Sequence, residues 1–176
     1  MPRLGAVFGG RGEERVRPMT SARRGGAIIV IAALASCGRP EKAALLLTVT
    51  PDPIPVAVFA AGHGVFIQSA EWQITVRETA GLGGQLLAVD TTIRDSSTAD
   101  PVATVVSQGA DITGETGTTR VGQHGALTVS QRWSDGGVFF PTCMTFLFDV
   151  HVSFIDDNAN QLEASLRVPQ AQRTCS

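Results

Sequence analysis

Between Thr145 and Ile155 the residues Phe146, Phe148, Val150, Val152 and Phe154 share one phase of a two-residue repeat, with Thr145, Asp149, His151 and Ser153 in the other. Successive side chains of a strand point to opposite sides, so this period belongs to a strand with one face buried. Five large apolar residues in phase require a second layer to pack against, which restricts the chain to folds built from a covered sheet. Asp156-Asp157-Asn158-Ala159-Asn160 supplies turn residues. Beyond it Leu162, Ala164, Leu166 and Val168 alternate with Glu163, Ser165 and Arg167 up to Pro169. The two runs are predicted to form a β-hairpin, with Phe146 to Phe154 facing in and His151 facing out. With a five- or six-residue turn, partner numbers sum to about 316 or 317. That register puts Cys143 and Cys175 near each other at the open end, where a disulfide can close.

The same period recurs upstream. Trp72, Ile74 and Val76 alternate with Glu71, Gln73, Thr75 and Arg77, and after Ala80-Gly81-Leu82-Gly83-Gly84 a strand is predicted from Gln85 to Arg94. These two runs read as another hairpin. Ala43 to Thr50 reads as a first edge strand, broken by Pro51-Asp52-Pro53 and continued from Val56 to Ala60, because proline is tolerated where one side of a strand is unpaired. Leu127 and Val129 mark a strand ending near Trp133, and Val102 to Val106 a shorter one. Asp95 to Pro101 and Ala110 to Gly125, rich in Gly, Thr, Ser and Asp, are expected to be loops. About seven strands with short connections predict an all-β fold, a two-sheet antiparallel β-sandwich.

The proline-broken first strand, the Arg77-Glu78-Thr79-Ala80-Gly81 exit and the long strand running into Asp156-Asp157-Asn158 resemble Ig-like domains of bacterial surface proteins. The resemblance covers most of Leu45 to Val168. The chain departs from the antibody pattern in having no Cys-Trp-Cys spacing and no tyrosine for a tyrosine corner.

The N-terminal region carries an address. Gly25 to Ser36 is twelve residues without charge behind Arg23 and Arg24, too short to span a bilayer, which takes roughly 20 apolar residues. Basic residues, a short apolar core and small residues in that order make a secretory signal with its helical core. Leu34-Ala35-Ser36-Cys37 resembles the lipobox of bacterial lipoproteins, and the resemblance implies lipidation of Cys37, which becomes the mature N-terminus. Gly38 after the cysteine implies the outer membrane where the cell has one. Glu13 and Glu14 are out of place in a basic leader, and Met19 gives the cleaner start. The expected organisation is a signal peptide over 1–36, with 1–18 a candidate mis-assigned start, a lipidated tether over 37–44 and an Ig-like domain over 45–176.

Of 14 basic and 16 acidic residues in all, eight and fourteen follow Cys37, a net charge near −6. That sign opposes a nucleic-acid footprint. With Cys37 lipidated, Cys143 and Cys175 are left as one pair in an oxidising compartment. His63, His124 and His151 are scattered without metal-ligand spacing. Asp156, Asn158 and Asn160 match the first oxygen positions of a calcium loop, and are the weak calcium candidate. Gln161 stands where that loop needs Gly and Arg167 where it needs Glu, and a turn explains the same residues. There is no Gly-x-Ser-x-Gly elbow and no phosphate cradle. The expectation is a non-catalytic, lipid-anchored domain of the cell envelope with a structural or binding role toward protein or glycan and no cofactor. The alternatives are an accessory domain of an envelope hydrolase system and a small-ligand carrier.

Overall fold

The structure, a computed structural model, describes residues 40–63, 65–135 and 144–171. The expected signal peptide over 1–36 and all three cysteines lie outside the described residues.

Among the described residues, nine strands and one helix follow in the order β1 (Leu45–Thr50), β2 (Val56–Gly62), β3 (Val65–Glu78), β4 (Gly84–Asp95), β5 (Pro101–Gln108), α1 (Gly109–Thr116), β6 (Arg120–Val121), β7 (Ala126–Ser134), β8 (Phe146–Asp156) and β9 (Gln161–Pro169). They form two antiparallel sheets. In the first, β3 is central: β1 and then β2 share one of its edges, and β7 takes the other. In the second the order is β5-β4-β8-β9, with β6 beside the start of β4. Counting β1 with β2 and β5 with β6, seven strand positions result. The result is a two-sheet antiparallel β-sandwich, three positions facing four.

The alternation along β8 appears as expected, with Phe146, Phe148, Val150, Val152 and Phe154 all buried. The β8–β9 hairpin has the expected register, Phe148 opposite Val168 and Val150 opposite Leu166. Trp72 of β3 meets Phe148 edge-on with ring centroids 5.2 Å apart, and Trp133 of β7 meets Phe146 at 5.3 Å. Both pairs cross between sheets, so they hold the layers together and fix their offset.

Two expectations are overturned. β3 and β4 do not form a hairpin: β3 belongs to the first sheet and β4 to the second. The Gly81–Gly84 stretch carries the chain across the sandwich instead. Gly84 lies so close to the Ile155 carbonyl and the Phe154 ring that a Cβ there would clash with both. Alternation shows that each strand has a buried face, and that face looks the same whether the next strand lies beside it or opposite it.

The region from Ala110 to Gly125 is not a plain loop. It holds α1 and β6, and α1 lies along the free edge of β7, where Glu115 Oε1 accepts the Ser130 backbone N–H at 2.8 Å and Ile112 is fully buried. A helix here covers an edge that would otherwise be open to pairing. Its eight residues include two glycines and two threonines, a composition whose intrinsic propensity does not favour helix. Packing of Ile112 and the edge contact supply what propensity lacks.

The proline break between β1 and β2 also has a structural role. Ile54, fully buried, bonds across to the end of β9, with its N–H on the Pro169 carbonyl at 3.1 Å and its carbonyl accepting from Ala171 at 2.8 Å. The kink therefore closes the side of the sandwich between the two sheets.

Candidate functional site

Two carboxylates organise the pole of the sandwich where β3 ends and β4 begins. Glu78, the last residue of β3, is fully buried. Its Oε1 accepts the N–H of Ala80 at 2.7 Å, and its Oε2 those of Gly81 at 2.9 Å and His124 at 3.0 Å. Burial works to raise its pKa. The backbone donors of His124, Ala80, Gly81 and Leu82 outweigh that and hold the carboxyl below its usual value. One side chain thus ties the β3 exit to the loop before β7.

Asp156 does the same for the chain entry. Its Oδ2 accepts the Ala43 N–H at 3.0 Å, and its Oδ1 accepts those of Asn158 at 3.0 Å and Asn160 at 2.9 Å. Burial opposes ionisation here too, and the N–H groups of Ala43, Asn160 and Asn158 prevail, keeping the carboxyl below the ordinary range. The side-chain amides of Asn158 and Asn160 donate to the Glu41 carbonyl at 3.2 and 2.9 Å. Asp156, Asn158 and Asn160, the calcium candidates, are therefore brought together, but as a clamp on the incoming chain. Asn160 faces three acceptor oxygens with its nitrogen, and both Asp156 oxygens are taken by N–H groups, whereas a calcium site needs oxygens converging on a point. Among the described residues no group of three or more His, Cys, Asp or Glu is placed to hold a metal ion.

On the outer face of the second sheet, Asp149 of β8 is flanked by Arg94 Nε at 2.9 Å and Arg167 Nε at 2.5 Å. Arg167 first, and Arg94 with it, hold the Asp149 carboxyl below its usual range against the effect of burial. His151 stands one pleat along, 3.6 Å from Glu163, with its side chain 40% exposed. It faces outward as expected. Between the sheets, Gln131 of β7 donates to the Val89 carbonyl at 2.8 Å and to the Ser107 hydroxyl at 3.1 Å, and accepts from the Thr91 hydroxyl at 2.6 Å. The bridge satisfies the Gln131 amide and the Thr91 hydroxyl where the core encloses them.

The remaining histidines sit in turns with positive φ: His63 at 52° between β2 and β3, and His124 at 53° in the loop before β7. None of the three histidines approaches another in these elements. Sequence reasoning missed Glu78 and Gln131 as organising residues. For Glu78 there was a signal, since an acidic residue stands where the alternation of Trp72, Ile74 and Val76 calls for an apolar one.

The opposite pole differs. The β2–β3 hairpin extends past the last β7 pair, Ser69 with Ser134, and no Asp, Glu, Lys or Arg occurs from Pro53 to Ala70. Phe59 on β2 is 58% exposed.

No protein-family model and no curated protein sequence matches this chain. Among solved structures, the chain is similar to Northeast Structural Genomics Consortium target SoR45, with a TM-score of 0.51 at 12% identity over 72% of this chain and 86% of that one. It is also compared with a putative ApaA protein from Bordetella pertussis, with a TM-score of 0.46 at 11% identity over 74% of this chain and 97% of that one. The first likeness is one of fold alone.

Proposed function

We propose that the protein is a lipid-anchored, extracytoplasmic Ig-like domain of the bacterial envelope with a structural or protein/glycan-binding role and no catalysis. The observation that carries this reading is Leu34-Ala35-Ser36-Cys37 behind a short uncharged run, placed six residues before Ala43, where the chain becomes fixed to the sandwich. A pair of acyl chains on Cys37 would hold the domain at a bilayer, each buried CH₂ contributing about 0.8 kcal/mol. A non-catalytic role is supported by how the most enclosed acidic groups are used: Glu78 and Asp156 are occupied by backbone donors and Asp149 by two arginines. Large side chains such as Trp72, Phe148 and Phe154 fill the interior, which favours a surface for partners over a carrier's ligand cavity. Asp and Glu predominate after Cys37, which disfavours nucleic acid.

Expression in a bacterial host with labelled fatty acid tests the anchor. Wild type should carry label and Cys37→Ala should not; label persisting in the variant refutes the anchor.

The proposed pairing of Cys143 with Cys175 is supported by the β8–β9 register, which continues to the Gln170 N–H on the Phe146 carbonyl at 3.0 Å. Peptide mass spectrometry of exported protein without reductant should find the two linked. Free thiols at both positions reject the pairing.

A further inference from the structure

We infer that the domain stands on the membrane by the pole that carries the β8–β9 turn, with that pole against the lipid headgroups and the β2–β3 hairpin held at the far end. The inference rests on lipidation of Cys37 and adds to it a contact surface and an orientation. The tether decides it. From Cys37 to Ala43 the chain spans at most about 20 Å even when fully extended. At Ala43 it is fixed by the Asp156 carboxylate, and at Glu41 by the amides of Asn158 and Asn160. The anchor therefore cannot swing to the other pole. β3 alone runs 14 residues away from that point, a length of about 45 Å, more than twice what the tether can reach.

The chemistry of the two poles agrees with this placement. In the loops of the tethered pole Glu78 and Asp156 are enclosed by N–H donors, and Asp157 is paired with Arg120 through two contacts of 3.0 and 2.8 Å. Glu78 and Asp156 stay ionised but enclosed by their donors, and Asp157 is paired with a cation, although the chain after Cys37 is acidic as a whole. A phosphate-bearing surface therefore meets little unpaired negative charge there. The hairpin pole, by contrast, is uncharged from Pro53 to Ala70 and exposes Phe59. Apolar surface of that kind would insert into the bilayer if it could reach it, and the tether length forbids this. The hairpin is consequently the end offered to whatever stands beyond the membrane surface.

The test uses full-length acylated protein reconstituted in vesicles of phosphatidylethanolamine and phosphatidylglycerol that carry an acceptor dye on the headgroups. A donor dye is attached through a genetically encoded azide at Gln123 in the tethered pole or at His63 in the hairpin turn, both exposed positions. Energy transfer should be several-fold stronger from position 123 than from position 63. Equal transfer, or stronger transfer from 63, overturns the orientation. The Cys37→Ala protein separates the two ideas: wild type that fails to float with vesicles refutes the anchor and the orientation with it. Wild type that floats, with Cys37→Ala left behind and transfer equal at both positions, refutes the orientation alone.

Discussion

The two poles of this sandwich differ in how much of the chain a single carboxylate gathers. At the tethered pole, Glu78 and Asp156 collect backbone N–H groups from segments distant in the chain: Ala43 and Asn160 on one, Ala80 and His124 on the other. At the hairpin pole, β2 and the start of β3 rest on each other and expose Phe59. Loops cannot satisfy their N–H groups with a regular ladder, and a buried carboxylate can take several at once. The comparison teaches that buried carboxylates gather several loop segments at the first end, while at the second the uncharged β2–β3 hairpin meets one carboxylate, Asp135, whose Oδ1 accepts the Gln68 N–H at 2.9 Å.

The aromatic core that joins the poles sets the scale against which they are judged. Phe148→Ala removes the ring facing Trp72 and should cost about 3–5 kcal/mol in denaturant melts. His151→Ala, on the outward face of the same strand, should stay within about 0.5 kcal/mol. Comparable losses at both positions would show that β8 is covered on both faces.

A smaller but still large effect is expected at the tethered pole. Glu78→Ala leaves several N–H groups without an acceptor and should cost about 3 kcal/mol at neutral pH. Because the folded-state pKa of Glu78 is lowered from 4.5, its contribution is fully present above that value and is lost as pH falls through the lowered folded value. The gap between wild type and Glu78→Ala should therefore narrow in acid. A gap that stays constant across that range would mean the side chain acts by packing alone and would erase the contrast between the poles.

The least effect belongs to the hairpin. Phe59→Ser should change stability by no more than about 0.5 kcal/mol, since the ring is mostly in solvent. A loss comparable to that of Glu78→Ala would place Phe59 in a packed environment and make the two poles alike.

Sheet membership and hairpin character separate cleanly in what could be read beforehand. The β8–β9 hairpin was legible because its turn residues and both alternating runs are contiguous, so register follows from local chain alone. The β3–β4 connection was misread because Gly81–Gly84 looks like a hairpin turn, and only the facing sheet reveals that the chain crosses over. Asp156, Asn158 and Asn160 were visible as a group of oxygen-bearing residues. Which of their atoms converge depended on Glu41 and Ala43, over a hundred positions away in the chain.

The amino-acid sequence by itself determined most of the strands and their buried faces, because periodicity is a property of neighbouring residues. Tertiary structure decided the rest: which sheet each strand joins, why α1 forms against the edge of β7 in spite of its composition, and why Glu78 is buried at the end of an apolar stripe. Each of these depends on groups brought together from far along the chain, where burial and hydrogen bonding outweigh local preference.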